Sequence, residues 1–506
     1  MPTDIVFSAR MSKIRVRPTS KQRIIGEEGV DFNWNIQLKD NFKASLDHDV
    51  FRKVKEAGTE LNQPAYIVGG WVRDLILSRP SKDVDVVTVG SGIKLAEQVA
   101  EHCPDIEAFA QYKRFGTAML RTSTFEVEFV GARKESYRSD SRNPIVEDGT
   151  LEDDQKRRDF TINALSISLN ESTYGDLTDP FNGMEDLKKG LIRTPLDPTI
   201  TFKDDPLRMM RAIRFSCQLG FEIEDQAFEA IKENADRLKI ISKERITDEF
   251  NKILLSPKPS IGLAGLFYAG LMKYILPELN ELQGVEEIDG QRHKDNFFHT
   301  LEVVDNIATK TNNLYLIYAA LFHDIAKPRT KKFDKVNGFT FRGHEHLGSK
   351  MVPRIFKRMR LPLSEPLRYV QKLVALSARP SALVSEDVTD SGLRRLLYEA
   401  GDDIEDLMTL SEADITTKNA QKMTTYLENF SWVRRRLKEV EEKDSLRNFQ
   451  PPVDGGEIIQ RFNLTPGPII GQLKNDVKEA ILEGKIANNK EEAWKYIENK
   501  ARELGL

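Results

Sequence analysis

The sequence predicts an α/β head followed by an all-α body, and three observations carry that prediction. Segments rich in Val, Phe and Thr with strand character, at 64–70, 84–89 and 124–130, fall within the first 190 of 506 residues. Past Pro195-Leu196-Asp197-Pro198 the apolar spacing changes to that of long amphipathic helices. Five of the seven histidines then gather in a further helical stretch, between 293 and 346.

Composition sets the outer bounds. At about 150 residues per domain the length corresponds to three or four domains, and a hydrophobic share of 40% beside 30% charged residues supplies several cores. Only 30 Gly and 22 Pro exclude a collagen-like chain, and no stretch approaches the roughly 20 apolar residues of a membrane span. A soluble protein is expected. Lys+Arg 75 against Asp+Glu 79 leaves a net charge of −4, so any RNA contact has to use local patches. Cys103 and Cys217 lie in no CxxC pair and build no disulfide framework, which points to a reducing, cytoplasmic setting. The first residues, through Arg10, Arg15, Arg17, Lys21 and Arg23, are basic and Ser-containing like a transit peptide. Asp4 and the lack of an apolar core argue instead for a flexible extension over 1–45.

The elements follow in order. Leu46, Val50, Val54 and Ala57 have helical spacing, and Pro64-Ala65-Tyr66-Ile67-Val68-Gly69-Gly70 reads as a buried strand entering a tight turn and then a helix. Residues 134–155 mix Ser, Asn, Pro, Gly and acidic residues and are expected to contain a flexible loop. Helices are expected at 206–219, 225–234 and 246–255. The charged run 434–443 reads as a solvated helix face. Residues 448–456 look like a linker to a small helical tail, which Pro466-Gly467-Pro468 opens. The expected domains are the extension 1–45, the head 46–190, a helical neck 191–285, a histidine-rich helical domain 286–445 and the tail 446–506.

Chemistry concentrates at a few places. Gly69-Gly70-Trp71-Val72-Arg73 lies where strand turns to helix, and two residues without Cβ let backbone N–H groups approach a phosphate. Asp83 and Asp85 stand at i and i+2 of a strand, so both face the same way. Such anions repel each other unless a divalent cation neutralises them; a bare DxD is otherwise an ordinary solvated strand face. Glu128 on the later strand supplies a third carboxylate for a two-metal site, although Glu126 shares its face by parity. Arg157-Arg158-Asp159-Phe160-Thr161-Ile162-Asn163 combines guanidinium, carboxylate and amide groups able to hold a triphosphate and a ribose. Asp205 and Arg208, i and i+3 on one helix, read most simply as a salt bridge near the helix start. His323-Asp324, with His299, His344 and Asp414 on or between neighbouring helices, forms an imidazole and carboxylate set without thiolates.

Taken jointly, 67–77 with Asp83 and Asp85, then 157–165, then Asp204-Asp205-Pro206-Leu207-Arg208-Met209-Met210-Arg211 through Phe215, resemble the class II tRNA nucleotidyltransferases and the related bacterial poly(A) polymerases. These belong to the DNA polymerase beta superfamily, and the match covers about 60–255. The histidine set resembles the HD metal-dependent phosphohydrolase domain, which follows the head in a subset of that family.

The resemblance implies a polymerase-beta-like nucleotidyltransferase head and an HD-type helical domain. It implies a template-independent enzyme that adds CCA to the 3′ end of tRNA from CTP and ATP, with tRNA and no DNA as partner. Asp83, Asp85 and Glu128 would be catalytic, the two aspartates holding Mg²⁺. Gly69, Gly70 and Arg73 would meet the triphosphate, and Arg158, Asp159 and Asn163 the triphosphate or sugar. Asp205 and Arg208 would select the base, with Arg211 and Arg214 beside them. His299, His323, Asp324, His344 and Asp414 would hold Mn²⁺, Ni²⁺, Fe²⁺ or Mg²⁺, for phosphoester hydrolysis or as a scaffold. The near alternative is a poly(A) polymerase or an enzyme adding only CC or only A. The far one is an HD phosphohydrolase with a nucleotide- or RNA-binding head.

Overall fold

A computed structural model describes residues 23–25, 31–34, 36–37, 39, 41–136, 145–288, 291–385, 389–417, 419–444, 446–447 and 449–506. Most of the expected extension 1–45 therefore lies outside the described residues. The chain divides into two compact units, Met1–Ile275 and Leu276–Leu506.

In the first unit, helix α1 (Asp49–Glu60) buries Val50, Val54 and Ala57, as its apolar spacing predicts, and Phe51 with them. Strand β1 (Ala65–Val68) runs into helix α2 (Gly70–Ile76) through Gly69, whose φ of +77° suits a residue without Cβ. Then come β2 (Asp83–Thr88), α3 (Gly92–His102), β3 (Ile106–Tyr112), β4 (Thr117–Thr122) and β5 (Glu126–Gly131). A hairpin β6 (Arg133–Ser136) and β7 (Ile145–Asp148), helix α4 (Leu151–Lys156), β8 (Ser166–Ser168) and β9 (Leu177–Thr178) complete the head.

Seven strands form one sheet in the order β9-β8-β1-β2-β5-β4-β3. Strands β2 and β5 are parallel, pairing Asp83 with Glu126 and Asp85 with Glu128, and the other neighbours are antiparallel. Val84, Val86, Val127 and Phe129 are fully buried on one face. The period of two therefore places all four carboxylates on the other.

Two expectations change here. The hairpin β3–β4 carries no strong sequence signal, because β3 lies on the sheet edge and buries none of its seven residues. Within 134–155, where a loop is expected, the described residues form the β6–β7 pairing and helix α4. Thr150 and Asp153 cap that helix reciprocally. Residues 137–144 lie outside the described residues.

The neck follows within the same unit. Helix α5 (Leu207–Leu219) begins one residue past the expected start, with Pro206 at its N-cap and Gly220 closing it at φ +69°. Helix α6 (Lys243–Leu254) begins three residues earlier than the apolar spacing implies, since its first turn is polar.

The second unit is mainly helical, as expected, with two short antiparallel pairings among the described residues, Glu287–Ile288 with Gln291–Arg292 and Lys332–Asp334 with Gly338–Thr340. Its helices α7 (Asn296–Ala308), α8 (Leu314–Phe322), α9 (His344–Met359), α10 (Ile404–Ala413) and α11 (Ala420–Asp444) carry the histidine cluster and its surroundings. The tail helices Gly455–Phe462, Pro468–Leu482 and Lys490–Glu503 belong to the same unit, and Arg395 ties to Glu479 at 2.6 Å. Among the described residues, no helix is long and apolar enough to cross a membrane.

Candidate active site and metal cluster

The sheet register brings Asp85 and Glu128 side by side, with Asp83 two residues along the same face. Burial first pushes both Asp85 and Glu128 up from the ordinary carboxylate range; Arg158 opposes the rise at Asp85 while Asp154 and Asp83 add to it, and the Asp85 charge adds to it at Glu128. Glu126 lies one pair away, and Arg121 of β4 binds it at 2.6 Å. The two glutamates that parity alone leaves equivalent thus differ: Arg121 neutralises one, and the other stands beside Asp85 with the Thr117 hydroxyl as hydrogen-bond partner.

Gly69 sits over this nest. A Cβ there would lie 2.8 Å from Nη1 of Arg158 and 3.4 Å from Oδ2 of Asp85, so the cradle is open because position 69 has no side chain. Repelling carboxylates beside such a cradle fit a divalent cation with a phosphate ligand.

Behind the nest, Asp154 is fully buried and accepts from Nε of Arg157 at 3.0 Å and Nε of Arg158 at 3.1 Å. Asp159 accepts from the Phe160 amide at 2.9 Å, Asn163 at 3.1 Å and Nε of Arg211 at 2.6 Å. Burial opposes the Asp159 charge, but Arg211 and Asn163 outweigh it and hold the carboxyl down at about 2. Arg73 forks onto Asp74 at 3.0 and 2.9 Å and donates to Asn163 at 2.8 Å, with its guanidinium over the Phe215 ring. Arg73, Asp159, Asn163 and Arg211 therefore form one linked network. Arg214 binds Glu249 at 2.6 Å, bracing α5 against α6.

Asp159, ionised in the fold well below its unfolded value near 3.8, contributes stability above that value and loses it as pH falls toward 2. The stability gap between wild type and Asp159→Asn is thus expected to be about 2 kcal/mol or more at neutral pH. It should narrow between pH 4 and 2, as read by thermal melts across that range.

Asp205 and Arg208 form no salt bridge with each other, contrary to the simplest helix reading. Oδ1 of Asp205 accepts from the Leu207 amide at 3.1 Å, and Oδ2 from Arg245 of α6 at 3.1 Å. Arg208 donates to the Arg157 carbonyl at 2.6 Å. Arg245 and Asp154 escape the sequence reading: Arg245 is brought in by tertiary packing alone. Asp154 follows Thr150-x-x-Asp153, a local helix-start signal that marks its segment as ordered.

In the second unit, His299 of α7, His323 just past α8 and Asp324 place ligand atoms within 4.8 Å of one another. Asp414 lies 2.7 Å from Nε2 of His299 and 3.4 Å from that of His323, and Nε2 of His344 is 3.2 Å from Asp324. All five expected ligands thus meet. Nδ1 of His323 donates to the Ala320 carbonyl at 2.7 Å and that of His344 to the Phe341 carbonyl at 2.8 Å, which turns each Nε2 inward. Nε2 of His323 and Oδ2 of Asp324 are buried with no well-angled hydrogen bond. Lys327 approaches Asp324 at 2.6 Å. Burial disfavours a charge on His323, yet Asp324 and Asp414 push it up to about 10, so the pocket attracts cations.

Residues 65–193 match the Poly A polymerase head domain, 220–283 the "Probable RNA and SrmB- binding site of polymerase A", and 296–417 the HD domain. The fold and site together define a nucleotidyltransferase whose chemistry uses a divalent metal. An A-adding tRNA nucleotidyltransferase of Deinococcus radiodurans is 32% identical over 364 residues, covering 70% of this chain and 80% of that one. A CCA-adding enzyme of Streptococcus uberis is 31% identical, covering 90% and 95%. The chain belongs to this family of tRNA nucleotidyltransferases. Its fold is that of the solved Bacillus stearothermophilus CCA-adding enzyme in complex with CTP (TM-score 0.64, 24% identity, 90% of this chain and 99% of that one). It is likewise that of the Thermotoga maritima CCA-adding enzyme complexed with tRNA (TM-score 0.55, 22% identity, 89% and 95%).

Proposed function

We propose that the protein adds CCA to tRNA 3′ ends from CTP and ATP, and that Asp83, Asp85 and Glu128 form its catalytic centre. The observation that carries this is the Asp85–Glu128 pair on adjacent parallel strands under the Gly69 cradle. Asp83 and Asp85 would hold Mg²⁺, which when bound supplies Lewis-acid stabilisation to the reacting oxygens. Glu128, its charge raised in energy by burial and by Asp85, favours a neutralising partner at the same place. Arg158 faces the triphosphate from beside Asp85, Gly69 and Gly70 give it room, and Asp154 holds the Arg158 fork in place. Arg73, Asp159, Asn163 and Arg211 position this wall through their network.

Asp205 and Arg208 read the base. An acceptor beside a donor complements the amino group and neighbouring ring nitrogen of both cytosine and adenine, whereas uracil and guanine present the reverse order. A carboxylate offers about four lone-pair sites and a guanidinium five N–H groups, so the bonds to Leu207, Arg245 and Arg157 leave capacity for a base. Two relatives bear the two competing names, A-adding and CCA-adding; the CCA reading is favoured because several CCA-adding relatives span over nine tenths of this chain. Incubating the protein with tRNAs ending before CCA, before CA and before A, with CTP and ATP, tests it: extension of all three to the same full-length end is expected. Extension of the last alone would leave only A addition, and a long adenosine ladder a poly(A) polymerase.

The cluster of His299, His323, Asp324, His344 and Asp414 would hold Mn²⁺, Ni²⁺, Fe²⁺ or Mg²⁺. In His323→Ala, metal measured after dialysis against Ni²⁺ or Mn²⁺ is expected to fall to background at this cluster, and with it any turnover of 2′,3′-cyclic phosphates. CTP incorporation should persist.

A further inference from the structure

The sheet has two flanks about the carboxylate nest. On one side stand Gly69, after β1, and Arg158, where the triphosphate is read to lie. On the other come β5, β4 and the edge strand β3. Phosphoryl transfer sets the attacking and leaving oxygens roughly in line on opposite sides of phosphorus. If pyrophosphate leaves toward Gly69 and Arg158, the RNA hydroxyl arrives from the side of Glu128, and the RNA behind it crosses the β4–β3 edge.

That edge has the chemistry for a single strand. By register Tyr112 pairs with Thr117, which pairs with Val130, so all three share the carboxylate face. Two strand spacings, about 10 Å, separate the Tyr112 strand from that of Glu128. Tyr112 is 45% exposed and Phe115, in the turn, 67%. Lys113 and Arg114 between them are exposed as well, and the Arg114 guanidinium lies 6.0 Å from the Phe115 ring centroid. Thr117, where the turn ends, is buried and hydrogen-bonded to Glu128, so the turn is anchored to the reaction centre. Exposed aromatic rings beside cations are what stack bases and follow a phosphate backbone.

We propose that the β3–β4 turn, Tyr112-Lys113-Arg114-Phe115, is a binding site for the last unpaired nucleotides of the acceptor RNA, with Phe115 and Tyr112 stacking bases and Lys113 and Arg114 meeting phosphates. The inference rests on the transferase reading above and adds to it the route by which RNA reaches the carboxylates.

The test uses the full-length protein and a tRNA ending before CCA. Phe115→Ala and the double variant Lys113→Ala/Arg114→Ala are each expected to raise the KM for tRNA roughly tenfold, leaving the KM for CTP and the melting temperature at their wild-type values. Phe115→Trp should restore the wild-type KM, which a merely structural role would not predict. In the double variant the dependence of log KM on log salt should flatten by about 1.5. A photoreactive phenylalanine analogue at position 115 should crosslink to the last few nucleotides of the RNA. A tRNA KM within twofold of wild type in both variants, or crosslinks confined to the distant parts of the tRNA, would overturn the proposal. A wild-type protein that extends no RNA would instead sink the transferase reading itself.

Discussion

Replacing Asp83 or Asp85 by Asn is expected to lower CTP incorporation by roughly three orders of magnitude, the scale of several kcal/mol of lost transition-state stabilisation. The fold should survive. Asp83 is exposed and Asp85 half-buried, and the strand packs through Val84 and Val86 on the opposite face. Removing the Asp85 charge should even relieve the repulsion that it exerts on Glu128. Single-turnover incorporation at saturating tRNA, beside thermal melts, reads both quantities. Near wild-type incorporation in a folded Asp85→Asn protein would refute the assignment of the catalytic centre.

Asp205→Ala and Arg208→Ala are expected to act on choice more than on rate. A well-placed bidentate contact discriminates by about 1–3 kcal/mol, so the preference for CTP and ATP over UTP and GTP should fall roughly tenfold to a hundredfold. Arg245→Ala, which frees Oδ2 of Asp205 from its outer partner, should move the preference in the same direction by less. Single-nucleotide incorporation with each triphosphate measures this, and unchanged exclusion of UTP and GTP in Asp205→Ala would remove the base-reading role.

The parts of the site carried by local periodicity are legible in the sequence. Asp83 and Asp85 share a face because a strand alternates, and Gly69-Gly70 marks a turn because position 69 needs positive φ. What escapes is whatever long-range pairing decides. Glu126 and Glu128 are equivalent by parity until β4 supplies Arg121, and β4 belongs to a hairpin whose edge strand lacks a buried stripe. Asp205 and Arg208 are ideally spaced for a helix ion pair, yet each turns to a partner forty or more residues away. In the second unit the histidine motif survives translation into space because its ligands sit at helix ends, where short stretches of sequence fix direction.

The bond from Arg208 to the Arg157 carbonyl joins the residue proposed to read the base to the backbone immediately before Arg158, while Asp154 clasps Arg157 and Arg158 together. Under that proposal, identity and reactivity of the incoming nucleotide would be mechanically linked. A wrong base that displaces Arg208 would tug on the stretch proposed to align the phosphates, so error suppression should register in the speed of bond formation as well as in how tightly the nucleotide is held.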